Sequence, residues 1–196
     1  EMQRSLVGSE MCIRDRHGFV PQTSYLEFLK EDVDLLFLCS PDNPSGAVIP
    51  KDFLLEILKT CEEKGILMIL DECFVEFLSE PQKQTLAREC ERSKNLMILQ
   101  AFTKISAIPG IRLGYLLAQK DICEKIAHQL PEWNVSVVAQ RIGMDILNDS
   151  LPGWSRRKYL KDTIELIQEE KEFLKHELTK IFGNQMTIFP SEADFL

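Results

Sequence analysis

Short apolar runs alternate along the chain with longer stretches in which apolar residues recur every three or four positions. Val33 to Cys39 is the first run, and it closes on Ser40-Pro41-Asp42-Asn43-Pro44-Ser45-Gly46, a cluster of turn formers that predicts a loop. Beyond Pro50, residues Phe53, Leu54, Ile57, Leu58 and Cys61 fall on one helical face, and Gly65 stands where a left-handed residue would end that helix. Ile66 to Leu70 is a second run and ends at Asp71-Glu72. After an irregular, partly helical stretch, a third run, Leu96 to Leu99, leads into Thr103-Lys104, and Leu113 to Ala118 makes a fourth. Strands apolar on both faces and separated by helices predict a mainly parallel sheet covered on both sides, an α/β three-layer architecture.

Further on, Asp121 to Leu130 and Val135 to Leu147 read as helices joined by the loop Pro131-Glu132-Trp133-Asn134. From Trp154 to Phe182 the apolar residues Tyr159, Leu160, Ile164, Ile167, Phe173, Leu174, Leu178 and Ile181 recur among many charges. A helix of that length suits a link between two domains, and its charges read as a solvated face. Met186 to Phe189 reads as a strand, and Ala193-Asp194-Phe195-Leu196 as the start of another, so the chain is expected to stop inside a small α+β domain. Ser5 to Arg16 shows neither period and resembles a translated sequencing-adaptor remnant. The expected organisation is therefore a non-native or disordered tail over 1–17, part of a large domain over 18–152, and a linking helix with the beginning of a small domain over 153–196.

Composition narrows the function. With 196 residues, 44% hydrophobic and 28% charged, the chain is that of an ordinary globular protein. Its 31 acidic against 23 basic side chains and a pI near 5.0 argue against a general affinity for nucleic acid. The longest apolar runs, such as Ile66 to Leu70, are far shorter than a membrane span. Six cysteines without a Cys-x-x-Cys pair, and no signal peptide, predict reduced thiols in a cytoplasm. His17, His128 and His176 are scattered without metal-ligand spacing, so no metal site is expected.

The candidate chemistry sits after the apolar runs, because ligands of open parallel sheets bind beyond the carboxyl ends of the strands. Asn43 follows the first run, Asp71 the second and Lys104 the third, which would bring an amide, a carboxylate and an amine to one edge. A lysine amine condenses with a carbonyl, and a buried carboxylate keeps a pyridine nitrogen protonated, so the combination suggests an aldehyde cofactor. Arg112, eight positions after Lys104, can supply a bidentate contact to a phosphate. Singly, each has a plainer role: a turn or capping residue for Asp71, turn chemistry for Asn43, a surface lysine, a structural ion pair for Arg112.

The series Ser40 to Gly46, Asp71-Glu72-Cys73-Phe74, Thr103-Lys104 and Pro109-Gly110-Ile111-Arg112-Leu113-Gly114-Tyr115 resembles the signatures of fold-type I pyridoxal-phosphate enzymes, aminotransferase class I/II, from about residue 18 onward. That resemblance implies pyridoxal 5'-phosphate as cofactor, with Lys104 condensing with its aldehyde and shuttling a proton. It implies Asp71 at the pyridinium nitrogen, Asn43 at the ring oxygen, and Thr103 and Arg112 at the phosphate. Two positions depart from the family pattern: Phe74 stands where a tyrosine is usual, removing a hydrogen bond to the ring oxygen, and Ala101 stands where a hydroxyl residue is common.

Within the family, Phe74, the run Ala107 to Tyr115 and the loop Pro131 to Ser136 resemble the branch that decarboxylates an amino-acid phosphate. The branch that transaminates one shares every cofactor residue. Trp133 and Asn134 would touch the substrate, although a loop tryptophan is more often a hydrophobic anchor. The resemblance further implies a homodimer, an arginine for the substrate carboxylate and a phosphate loop that this sequence does not show. A cofactor-sensing regulator and a plain α/β binding domain are the other readings.

Overall fold

The computed structural model describes residues 19–196, so the reading of 1–17 as a tail, with Cys12 and His17, lies outside the described residues. Strands β1 (Leu35–Cys39), β2 (Leu67–Asp71), β3 (Leu96–Ala101) and β4 (Gly114–Leu117) form one sheet in that order. The first three run parallel, in a register that aligns Cys39 with Asp71 and Asp71 with Leu99. The ends of β1 to β3 therefore share one edge, with the loop over 40–46, Asp71 and the residues after β3 all leaving from it.

The fourth strand departs from the parallel expectation: it is antiparallel to β3, with Gly114 opposite Ala101. Between the two strands lie only the single-turn helix α3 (Phe102–Ile105) and the 3-10 turn Pro109–Ile111. A parallel return needs a crossover of a dozen or more residues, usually a full helix; residues 102–113 only just reach that length and form no helix longer than one turn. Instead the chain reverses at the edge, using left-handed residues at Ala107 (φ 53°) and Arg112 (φ 54°).

Helix α1 (Lys51–Lys64) covers one face of the sheet. Its buried Leu54, Ile57, Leu58 and Cys61 pack with Leu36, Met68, Leu70, Leu96 and Ile98 into the main core. Fully burying such aliphatic side chains contributes about 1.5–3 kcal/mol each. Gly65 ends α1 as read, at φ 73°, its N–H closing on the Cys61 carbonyl. The opposite face is only half covered among the described residues: Leu35, Phe37 and Leu99 remain 43%, 36% and 37% exposed. Runs apolar on both faces encode a need for cover on both, and the described helices meet it on one.

Single-turn α2 (Pro81–Gln84) lies between β2 and β3. Helix α4 (Lys120–Ala127) is shorter than the span read from sequence, and α5 (Val137–Leu147) starts where the Ser136 hydroxyl accepts the Ala139 N–H at 3.1 Å. The long helix α6 (Arg156–Phe182) forms as expected. It sets Leu160 and Ile167 against a second cluster of Phe74, Phe77, Ile105 and Ala193. Met186 to Phe189 is not a strand, contrary to the sequence reading, because no described strand pairs with it. The chain folds back instead: the Glu192 N–H donates to the Gly46 carbonyl at 2.9 Å, and the Lys171 ammonium donates to the Ala193 carbonyl at 2.8 Å. Among the described residues no helix is long and apolar enough to cross a membrane.

Candidate active site

Alternation along β2 decides which carboxylate reaches which side. Met68, Leu70 and Glu72 point into the core, whereas Asp71 lies on the half-open face with Leu67 and Ile69. There the Asp71 Oδ1 accepts the Cys73 N–H at 2.9 Å, a local turn that fixes the carboxylate just past the strand. The neighbouring thiols register its charge. Burial, then the charge of Asp71, pushes Cys39 up to about 12, partly offset by the Asn43 backbone N–H. Cys73 is also pushed up to about 12, by burial first and then by a hydrogen bond to Asp71 and its charge, with the Lys104 ammonium pulling the other way. Cys73 is thus within electrostatic reach of Asp71, Cys39 and Lys104.

The loop after β1 is held by its own polar groups. The Asp42 Oδ2 accepts the Ser45 hydroxyl at 2.6 Å, the Gly46 N–H donates to the Asp42 carbonyl at 2.7 Å, and the Ser40 hydroxyl accepts the Ile49 N–H at 3.0 Å. Asn43 sits exposed on this fixed loop. Gly46 has φ +67°, and a Cβ there would lie 1.9 Å from the Ser191 hydroxyl, so only glycine permits the close approach of residues 191–192.

After β3, single-turn α3 buries Thr103 and exposes Lys104, whose ammonium lies 5.4 Å from the centre of the Phe74 ring. Phe74 in turn meets Phe195 edge-on at 5.4 Å. The reversal into β4 delivers Arg112 to the edge from which Lys104 emerges. Its backbone is left-handed, its side chain is exposed, and its Nη1 donates to the Pro109 carbonyl at 3.1 Å. Trp133, 92% exposed, and Asn134 stand in the loop between α4 and α5, and none of the described interactions joins them to the strand edge.

Sequence reasoning missed the polar hub behind the site. Glu72 is 2% exposed, and its carboxylate accepts the Thr85 hydroxyl at 2.6 Å, the Gln100 amide at 2.8 Å and the Leu86 N–H at 2.9 Å. The Tyr115 hydroxyl donates to the Gln100 carbonyl oxygen, which extends the network to β4. The period-2 pattern Met68, Leu70, Glu72 was the available signal, since it points Glu72 inward.

At one sheet edge the chain thus presents an amine, a carboxylate, an amide and a guanidinium, with a buried hydroxyl in α3. That donor set fits a ligand with an aldehyde, a protonatable ring nitrogen and a phosphate.

Comparisons with known proteins agree. The chain is 30% identical over 185 residues to the threonine-phosphate decarboxylase of Salmonella typhimurium, which covers 94% of this chain and 48% of that protein. It is 29% identical over 163 residues to the adenosylcobalamin biosynthesis bifunctional protein CobDQ of Leptospira interrogans, covering 83% and 17%. Among solved structures, the histidinol-phosphate aminotransferase of Clostridium acetobutylicum superposes with a TM-score of 0.72 at 32% identity, over 83% of this chain and 46% of that one. The chain spans less than half the length of each of these proteins. The sequence profile of aminotransferase class I and II matches residues 20–196, and the chain belongs to that family.

Proposed function

We propose that this chain carries the cofactor-binding core of an enzyme acting on an amino-acid phosphate, a threonine-phosphate decarboxylase that gives aminopropanol phosphate for cobalamin biosynthesis. The family is one of pyridoxal-phosphate enzymes. The observation that carries the reading is the gathering of Asp71, Phe74 and Lys104 at one edge, in a chain similar to a decarboxylase over 94% of its length.

When bound, pyridoxal phosphate supplies an electron sink for the bond broken at the substrate Cα. The chain's residues supply the rest. The Lys104 amine holds the aldehyde carbon and moves a proton at Cα. The Asp71 carboxylate keeps the ring nitrogen protonated, and the Asn43 amide donates to the ring oxygen. The Thr103 hydroxyl and the Arg112 guanidinium bind the phosphate, while Phe74 offers an apolar surface where a tyrosine would add a donor. Trp133 and Asn134 would contact substrate in the assembled enzyme, which on this reading is a cytoplasmic homodimer.

A histidinol-phosphate aminotransferase is the second reading, favoured by the 32% identity to the Clostridium acetobutylicum enzyme. The two differ in which bond at the substrate Cα would be broken, the one to a carboxylate or the one to the hydrogen. The test is borohydride trapping after incubation with pyridoxal phosphate, with the labelled peptide mapped. The expected label falls on Lys104, and threonine phosphate is expected to release carbon dioxide. Label spread over surface lysines would overturn the cofactor assignment, and amino transfer from histidinol phosphate without carbon dioxide release would select the second reading.

A further inference from the structure

Helix α3 carries Lys104 on only four residues, too few to satisfy or stiffen itself. The Ser106 and Ala107 N–H groups donate to the Phe102 and Lys104 carbonyls at 3.2 and 2.9 Å. The Ile105 carbonyl, next to Lys104, receives its partner from outside: the Tyr159 hydroxyl of α6 donates to it at 3.0 Å, across 54 positions of sequence. Tyr159 is half-buried and packs against the Trp154 ring, with centroids 6.1 Å apart.

Three residues before Tyr159, on the same side of α6, the Arg156 guanidinium pairs with Glu76, which lies in the 3-10 turn that follows Asp71. Both members of that pair are largely shielded from solvent. Leu160 and Ile167 continue the contact against Phe74 and Ile105. The first turns of α6 therefore grip both segments that carry the candidate chemistry, the one leaving β2 after Asp71 and the one leaving β3 with Lys104.

We propose that Tyr159 is a positioning residue for Lys104: its hydroxyl fixes the Ile105 carbonyl and so holds the short helix in the orientation that aims the Lys104 amine. The proposal rests on the reading of Lys104 as the amine that condenses with the cofactor aldehyde. Nothing in the apolar repeat of α6 distinguishes Tyr159 from its neighbours in sequence, and only the 3.0 Å contact with Ile105 gives it this role.

The test uses the chain as it stands, pyridoxal phosphate as probe, and Lys59 as an internal reference, since its side chain is 76% exposed on α1. The amine nitrogen adds to the aldehyde carbon, water leaves, and borohydride hydride reduces the carbon–nitrogen double bond, leaving a stable secondary amine. The ratio of early label at Lys104 to label at Lys59 is read by peptide mapping, beside the melting temperature of the same sample. In Tyr159→Phe, which keeps the ring and removes one hydroxyl, the ratio is expected to fall about threefold to tenfold, the range one hydrogen bond spans. Glu76→Gln, which weakens the neighbouring ion pair and leaves the hydroxyl in place, is expected to lower it less.

A Tyr159→Phe chain with an unchanged ratio overturns the proposal, whatever its melting temperature, because a merely structural anchor would move stability alone. Should that variant not fold, the ratio is read in Tyr159→Met, which also removes the hydroxyl, and an unchanged ratio there overturns the proposal. Absence of Lys104 label in the unsubstituted chain would overturn the cofactor reading itself, so the two failures are distinct.

Discussion

Glu72→Gln isolates what the buried hub contributes. The carboxylate accepts three donors, Thr85 and Gln100 on one oxygen and the Leu86 N–H on the other, at 2.6, 2.8 and 2.9 Å. A glutamine of the same shape must turn its amino group toward one of these sides. Facing Leu86, it orphans a buried backbone N–H. Facing Thr85 and Gln100, it sets two amino groups against each other, and turning Gln100 to relieve this removes the acceptor of the Tyr115 hydroxyl. Facing Leu86 leaves a buried donor unsatisfied, and either choice replaces charge-assisted bonds by neutral ones, a loss of about 2 kcal/mol. With a slope of about 2 kcal/mol per molar of urea, the unfolding midpoint falls by about 1 M. The assay is equilibrium urea unfolding followed by circular dichroism, with Glu63→Gln as control. Glu63 is exposed and only loosely paired with Lys59 at 3.9 Å, so its replacement is expected to shift stability by less than about 0.5 kcal/mol. A Glu72→Gln midpoint no lower than that of the control would refute the hub.

Two further predictions concern backbone and thiols. Gly65→Ala meets no atom within 4 Å, so it is expected to cost only the left-handed backbone penalty of about 1 kcal/mol; Gly46→Ala adds a clash with Ser191 and is expected to cost measurably more, a difference read from the two melting curves. Cys39 and Cys73, both pushed up to about 12, are expected to resist alkylation at pH 8 in the folded chain and to react once it is unfolded. Because their folded values lie above the ordinary thiol value of 9.0, the protonated thiols favour the fold below that pH, and this contribution is lost as pH rises from 9 through about 12. Replacing both by serine is expected to flatten the alkaline limb of a stability-against-pH curve, and an unchanged limb would contradict the assignment.

Periodicity made much of the fold legible. The strands β1 to β3, α1 with its glycine stop, and α6 all follow from apolar spacing that a single residue type cannot imitate. Placement after the strands also made Asn43, Asp71 and Lys104 legible as a group. Partner-dependent features were not legible. The direction of β4 depends on what fits between Ala101 and Gly114, and Met186 to Phe189 has the composition of a strand without a described neighbour to pair with. Glu72 was half legible, since alternation points it inward, but its partners Thr85 and Gln100 lie 13 and 28 positions away. Tyr159 was hidden inside an apolar repeat because its ring satisfies the pattern while its hydroxyl does the anchoring.

The reversal into β4 shows why eight positions can separate Lys104 from Arg112 and still leave both at one edge. A parallel β4 would have to begin beside the start of β3, a six-residue strand, roughly 20 Å away at about 3.3 Å per residue. Arg112, which immediately precedes the fourth run, would then stand at the opposite edge from Lys104, out of reach of any ligand the amine holds. The antiparallel return removes that distance. It requires two left-handed non-glycine residues, Ala107 and Arg112, each carrying a local penalty of about 1–2 kcal/mol. One of those two is the candidate phosphate ligand itself, so the strain and the guanidinium occupy the same residue. Relieving the strain with Arg112→Gly would remove the charge, and Arg112→Lys would keep both the charge and the strain while giving up the planar fork that suits a phosphate.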